Sequence, residues 1–283
     1  MLFDKSALKK LFKPHTNSKG EDNGQVTVIG GSHLFHGAPL FSLTVVSRIV
    51  DMVFFASPEK SVGQVATKLK SKLLSFIWIP WDEVEEYVVK SDAVLIGPGF
   101  LRFHSEKIPH KDRHTICDEE CQKTTNITKS LLTKFPNKKW VIDAGSLQTM
   151  DADWIPKNAV LTPNKKEFEI LFKTEFSVES ALEMSKKHNC IIVVKGPTTF
   201  VFGDGNVVEV KGGNPGLTKG GTGDVQAGLT VALLAKNDPM LAACSASYIV
   251  KAAGDALQKE KGIYFNADDL ANKISEVLNN LIK

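Results

Sequence analysis

The chain has 283 residues, 42% of them hydrophobic and 24% charged, with a formal net charge of +3. These proportions suit a globular protein with a large core, and so mild a charge gives no argument for nucleic acid as a partner. No apolar run approaches the ~18 residues of a membrane span, and Met1 to Lys5 lacks the apolar centre of a signal peptide. The expectation is therefore a cytoplasmic protein with no membrane partner, whose cysteines Cys117, Cys121, Cys190 and Cys244 are reduced thiols, since four in this length make no disulfide framework.

The first 24 residues are polar and basic, with Leu8, Leu11 and Phe12 spaced for one short helical turn. The Val/Ile run 25–29 predicts a strand that ends at Gly30-Gly31-Ser32. A small-residue turn, His36-Gly37-Ala38-Pro39, opens a helix through Arg48, and His33 and His36 read as loop or cleft-lining residues. Strands are expected at 52–56, 75–79 and 93–96, with helices at 61–72 and 82–90 between them; the last strand breaks at Gly97-Pro98-Gly99. Residues 101–126 form a long irregular polar stretch. A helix at 127–135 leads to a strand at 140–143 and a short one at 159–161. Thr162-Pro163-Asn164 marks the start of a helix over 165–172. A helix at 180–188 and a strand at 191–194 follow, and Gly203-Asp204-Gly205-Asn206 signals a hairpin between 200–202 and 207–210. Three helices, from Val225, from Leu241 and from Asp268, complete the chain.

The strands are continuous apolar runs alternating with helices, which predicts an α/β fold, a mostly parallel central sheet covered by helices on both faces. No linker or repeat divides the chain, so the expectation is one domain over residues 1–283, with 101–126 as an irregular insertion.

The densest chemical signal is Asn214-Pro215-Gly216-Leu217-Thr218-Lys219-Gly220-Gly221-Thr222-Gly223-Asp224, where four glycines fall within eight residues, Gly216 to Gly223, just before an apolar helix. A Gly-rich loop entering a helix offers unpaired N–H groups and the positive end of the helix dipole, a setting for phosphate. Asp224 at the helix start reads either as a helix cap or as a group acting on a substrate beside that anion. The loop matches neither G-x-x-x-x-G-K-[ST] nor G-x-G-x-x-G. Ligands in open α/β sheets collect at the carboxyl ends of the strands. Here those ends read Gly30-Gly31-Ser32, Gly97-Pro98-Gly99, Asp143-Ala144-Gly145, Thr162-Pro163-Asn164 with Glu167, and Lys195-Gly196, which together predict one shared cleft.

In that order, the motifs GGS…GAP, GPG, DAG, TPNxxE, VVKG and GGTGD resemble the ADP/ATP-dependent NAD(P)H-hydrate dehydratase family, of ribokinase-like fold, from about residue 13 to about residue 280. The resemblance implies a nucleotide-dependent repair of hydrated NADH or NADPH: the ring hydroxyl is phosphorylated, and phosphate then leaves. It implies Asp224 as general base, with N–H groups of Gly221, Thr222 and Gly223 holding the phosphoryl charge. Hydrate contacts fall to Ala38, Gly99, Asn164 and Asp224. ADP or ATP contacts fall to Lys195, Gly196, Pro197, Thr198 and Thr199, and to Asn214, Pro215, Gly216, Leu217, Thr218, Lys219, Gly220, Gly221, Thr222 and Gly223. Mg²⁺ would accompany the nucleotide. Asn164 stands where the family usually has His, and Gly145 replaces a second acidic residue. The stretch Gly97-Pro98-Gly99-Phe100-Leu101-Arg102 lacks the later Gly of GPGLGR, and the epimerase domain fused ahead of some members is not in the sequence. A small-molecule kinase of the same fold, acting on a hydroxyethylthiazole or a hydroxymethylpyrimidine, is the alternative. A non-catalytic nucleotide-binding protein is a third reading, against which the intact GGTGD argues.

Two further features stay open at this level. His110, His114, Cys117 and Cys121 have the spacing H-x3-H-x2-C-x3-C, which fits either four Zn²⁺ ligands or a solvated loop. The helix from Leu40 is apolar nearly all round, which requires burial on two sides, by the sheet and by either a neighbouring helix or a second subunit. The resemblance favours the subunit, in a homo-oligomer, commonly a tetramer. Cys190 and Cys244, in apolar surroundings, read as small core residues.

Overall fold

The computed structural model describes residues 1–102 and 117–283. Its centre is a nine-stranded sheet of β1 (Gln25–Ile29), β2 (Met52–Ala56), β3 (Ile77–Trp78), β4 (Ala93–Ile96), β5 (Lys139–Ile142), β6 (Val160–Leu161), β7 (Ile191–Val194), β8 (Thr199–Gly203) and β9 (Asn206–Val210). The spatial order is β3-β2-β1-β4-β5-β6-β7-β8-β9. The first seven strands are parallel; β8 and β9 return antiparallel through a hairpin whose turn residues, Asp204 and Gly205, have φ of 51° and 75°. Positive φ at both central positions matches the turn to the right-handed twist of the strands.

Alternate residues of each strand feed two cores. Val26, Val28, Val53, Phe55, Leu95, Val141 and Val193 face one side. There they meet α1 (Gly37–Val46), α2 (Lys60–Leu69), α8 (Thr222–Leu234), α9 (Pro239–Lys261) and α10 (Ala267–Ile282). Ile29, Phe54, Val94, Ile96, Trp140, Ile142 and Ile192 face the other. There they meet α3 (Val84–Lys90), α4 (Glu119–Lys134), α5 (Ala144–Thr149), α6 (Lys165–Phe172) and α7 (Val178–His188). A sheet covered on both faces needs apolar residues on both, which is why its strands read as unbroken Val/Ile runs. The N-terminal residues cover the open edge: Glu209 N donates to Met1 O at 2.8 Å and Phe3 N to Glu209 O at 2.9 Å. That pairing removes part of an exposed row of donors and acceptors.

Several expectations change. Helix α4 begins at Glu119, not at residue 127, so the irregular stretch is shorter than 101–126. Asp118 caps it by accepting from Cys121 N at 3.0 Å, and Glu119 and Glu120 favour its positive end. The early turns were hidden because their buried face carries Thr124 and Thr128 in place of aliphatic residues; Thr124 Oγ1 donates to Leu101 O at 2.6 Å, and Thr128 Oγ1 pairs with Ser146 Oγ at 2.9 Å. Cys117 and Cys121 form a disulfide, contrary to the expectation of four thiols. This leaves neither sulfur as a thiolate for a metal; His110 and His114 lie outside the described residues. Cys190 and Cys244 are free and buried, as core residues should be, and burial raises both thiols to about 12.

Helix α1 meets the two-sided burial inside its own chain. It lies between the sheet and the helices α8 and α10, so its composition carries no argument for a second subunit. The approach to α8 is close: a Cβ on Gly228 would stand 2.6 Å from Ser42 Cα and 2.7 Å from Ser42 O, and Ser42 Oγ donates to Asp224 O at 2.7 Å. Replacing Gly228 with Ala should therefore force the helices apart and lower stability by about 1–3 kcal/mol. A urea midpoint equal to that of the parent chain would show that the contact does not constrain them.

Candidate active site

Three neighbouring strands deliver the polar groups. Asp143 follows β5, Thr162 follows β6 and Lys195 follows β7. Asp143 is 1% exposed, and its Oδ1 accepts from Lys195 Nζ at 2.8 Å and from Thr162 Oγ1 at 2.8 Å. Although it stands at the N-terminal boundary of α5, its side chain does not cap that helix, because the ion pair claims it. The next residue, Ala144, has φ of 47°, an uncommon conformation for a residue with a Cβ. Gly145 has no alternative: a Cβ there would lie 2.2 Å from Phe100 O, which accounts for a glycine where an acidic residue was expected.

Asn164 and Glu167 form a capping box at the start of α6. Asn164 Oδ1 accepts from Glu167 N at 3.0 Å, and Glu167 Oε2 accepts from Asn164 N at 2.9 Å. Glu167 Oε1 also accepts from Gln148 Nε2 at 2.8 Å. Helix α8 supplies Asp224, its third residue. The N-cap is Gly221, with φ of 91°, so Asp224 is not the cap that one reading of the sequence allowed. Nothing among the described residues accepts from the N–H of Gly221 or Gly223, whereas Thr222 N turns toward Lys219 O at 3.4 Å. Of the three expected anion-holding donors, two therefore have no acceptor among the described residues and the third is directed into the loop.

Charge is concentrated here. Burial lifts the Asp224 carboxyl to about 7; Asp143 and Glu167 push it further up and Lys195 opposes them. Burial alone would lower the Lys195 ammonium, but the facing charges of Asp143, Glu167 and Asp224, with the hydrogen bond to Asp143, outweigh it and hold this group above its ordinary value. Lys195 also reaches the glycine loop: a Cβ on Gly223 would sit 3.3 Å from its Nζ. A carboxyl that ionises near neutrality, next to a fixed cation and two N–H groups with no acceptor among the described residues, is equipped to take a proton from a hydroxyl beside a phosphate.

A cavity of about 890 Å³ opens over these groups. Asp143, Asn164, Glu167, Lys195, Gly196, Pro197, Thr199 and Asp224 line it, as do Asn214, Pro215, Leu217 and the loop from Thr218 to Gly223. Thr198 and Gly216 do not; Gly216 is packed under Phe265. Ala38 and Gly99 do not line it either. Gly99 is buried, with Phe35 O 2.6 Å, Pro39 Cδ 3.1 Å and Gly31 Cα 3.2 Å from where its Cβ would be, and Gly31 N donates to Pro98 O at 2.8 Å. The first two strand ends therefore close on each other, and three of the five expected ends make the cavity. His36, with Nε2 3.1 Å from Ser61 Oγ, lies outside it. Val250 and Lys251 from α9 also line the cavity, with no local sequence signal to mark them.

Among the described residues no group of three or more His, Cys, Asp or Glu is placed to hold a metal ion. Asp143 is committed to Lys195 and Thr162, and both oxygens of Glu167 are engaged. The described residues thus build no cage for Mg²⁺, an ion that commonly arrives on nucleotide phosphates.

A mostly parallel sheet with a glycine-loop helix and a lysine–carboxylate cluster at its carboxyl end defines a ribokinase-like α/β protein. A crystal structure of the ADP/ATP-dependent NAD(P)H-hydrate dehydratase from Bacillus subtilis, co-crystallised with ATP/Mg²⁺, shares this fold with a TM-score of 0.79 at 20% identity, covering 99% of this chain and 98% of that one. The chain belongs to the NAD(P)H-hydrate dehydratase family, whose model matches residues 26–276. It is 30% identical over 274 residues to an ADP-dependent (S)-NAD(P)H-hydrate dehydratase of Cenarchaeum symbiosum, covering 93% of this chain and 91% of that protein. It is 35% identical over 282 residues to a bifunctional NAD(P)H-hydrate repair enzyme of Methanocaldococcus jannaschii, covering 96% of this chain and 51% of that protein. The chain thus spans about half the length of the bifunctional relatives it matches.

The electrostatics can be checked without substrate. In a ¹³C titration of the Asp carboxyls, one group should titrate near pH 7 and be missing from Asp224→Asn. In Lys195→Met that titration should move to higher pH, because the charge that favours the carboxylate is gone. An Asp224 that titrates near pH 4 would contradict the burial described.

Proposed function

We propose that the protein is a nucleotide-dependent dehydratase that restores hydrated NADH or NADPH, with ADP or ATP as phosphoryl donor. The observation that carries the reading is the position of Asp224: a carboxyl held near 7, on the first turn of α8, beside Lys195 in the cavity. The family assignment favours this substrate over the alcohols of the related kinases. Asp224 takes the proton of the ring hydroxyl as its oxygen attacks the terminal phosphorus of the nucleotide. The bond to the bridging oxygen breaks, and Lys195 with the N–H groups of Gly221 and Gly223 holds the charge on the moving phosphoryl group. Phosphate then leaves the ring with the C–O electron pair, a neighbouring ring carbon loses a proton to solvent, and the reduced nicotinamide is restored. Mg²⁺, held by the nucleotide phosphates, would supply neutralisation of their charge. Lys195, Gly196, Pro197 and Thr199, with Asn214, Pro215 and the loop from Leu217 to Gly223, form the nucleotide side; Asn164 and Asp224 face the hydrate, while Ala38, Gly99, Thr198 and Gly216 stand outside the cavity lining.

The direct test is incubation with hydrated NADH or NADPH and ADP or ATP, following the return of reduced-ring absorbance. No return with either nucleotide would refute the reading; phosphorylation of a thiazole or pyrimidine alcohol in its place would establish the kinase. Asp224→Asn should lower turnover by about 10²–10⁴-fold with nucleotide binding retained, and near-parental turnover would remove Asp224 from the base role. The glycines of the loop differ in what they test. A Cβ on Gly221 would meet Phe41 at 2.5 Å and Ala267 at 2.8 Å, so substitution there perturbs the fold. Gly220 has nothing within 4 Å of that position and lines the cavity. Gly220→Val should therefore keep the melting temperature and weaken ADP and ATP binding; unchanged affinity in calorimetry would place the phosphates elsewhere.

A further inference from the structure

Helix α9 brings two charged side chains to the cavity region that the reading above does not use. Lys251 is 7% exposed, and no carboxylate lies within ion-pair distance of it among the described residues. Its Nζ donates to Gly196 O at 3.1 Å, Pro197 O at 2.8 Å and Gly212 O at 3.0 Å. Asp255, one turn further along, accepts from Gly213 N through Oδ2 at 3.0 Å and from Asn214 Nδ2 through Oδ1 at 3.2 Å. Asn214 Oδ1 in turn accepts from Gly216 N at 3.0 Å, which passes the constraint into the glycine loop.

The carbonyls that meet on Lys251 come from two separate segments, one after β7 and one after β9, and both line the cavity. The chain runs close to the helix here: a Cβ on Gly213 would lie 3.2 Å from Lys251 Cγ, and one on Gly212 would lie 3.3 Å from Asp255 Oδ2. Burying an ammonium is unfavourable unless its hydrogen bonds are replaced, and Lys251 has one acceptor for each of its three protons. An aliphatic side chain would fill the same space without desolvating a charge. What the charge adds is attraction for three carbonyls that would otherwise be unpaired and repel one another.

We propose that Lys251 and Asp255 are positioning residues of the nucleotide site, an opposite-charge pair on one helix that sets the spacing of the two loops between which the donor binds. Lys251 draws in the loop after β7 by its carbonyls; Asp255 orients the 213–216 segment by its N–H groups. The proposal rests on the nucleotide-dependent reading, and calorimetry separates the two. A parental protein that binds neither ADP nor ATP would refute that reading itself. With binding established, Lys251→Met should raise the dissociation constants for ADP and ATP by roughly ten- to a hundredfold and leave the KM for the hydrate within about twofold. In Lys251→Ala, added methylammonium should recover part of the lost affinity by refilling the three-carbonyl position. A folded Lys251→Met protein with parental nucleotide affinity, an equal loss of hydrate binding, or no recovery with methylammonium would each overturn the proposal. Should the Lys251 variants not fold, Asp255→Asn decides it: weakened nucleotide binding supports the clamp, and unchanged binding overturns it.

Discussion

The ion pair between Lys195 and Asp143 is the interaction on which the site depends. It joins the ends of β5 and β7 across the end of β6, and Thr162, from that middle strand, binds the same carboxylate oxygen. Removing either partner would strand a charge in a low-dielectric setting, a change far more unfavourable than the pair's net contribution to stability. The pair also governs its neighbours. Burial, Asp143 and Glu167 raise the Asp224 carboxyl and Lys195 opposes them, so the value near 7 is a balance of burial and like charge against one cation.

Helix α8 must present its N-terminus to this cluster at one height and angle, and that is a packing problem. Gly228 lets α8 rest on the backbone of α1 at Ser42, whose hydroxyl donates to the carbonyl of Asp224. Gly221, at positive φ, lies against Phe41 from α1 and Ala267 from α10. The glycines of the loop therefore divide by function: some admit neighbouring helices and fix the direction of α8, while Gly220 and Gly223 leave the cavity side open. Two faces of one motif, one structural and one chemical, are superimposed in a few residues.

The sheet and most helices could be read locally because their signals are local. A strand buried on both faces is a Val/Ile run, and a helix start such as that of Asn164 and Glu167 spans four residues. The reading failed where the stabilising partner lies elsewhere in the chain. The first turns of α4 bury threonines that bond to Leu101 and Ser146, so no apolar periodicity marks them. The disulfide ties Cys117, which precedes the Asp118 cap, to Cys121 in the first turn of α4, a separation of four that no framework argument addresses. The all-round apolarity of α1 correctly required two buried sides, but periodicity does not say what covers them; α8 and α10 do.

By itself, the sequence determined the α/β class, the parallel order of alternating strands and helices, the glycine loop and the carboxylate that follows it. It determined these because each rests on contacts within a turn, a strand or a capping motif. Tertiary structure alone decided that Lys195 pairs with Asp143, that Gly30 to Ser32 and Gly97 to Gly99 close against each other, away from the cavity, and that Lys251 of α9 gathers two loops around it. Each of these depends on groups brought together from distant parts of the chain, where burial and neighbouring charge, set by the packed fold, determine what an ionisable side chain can do.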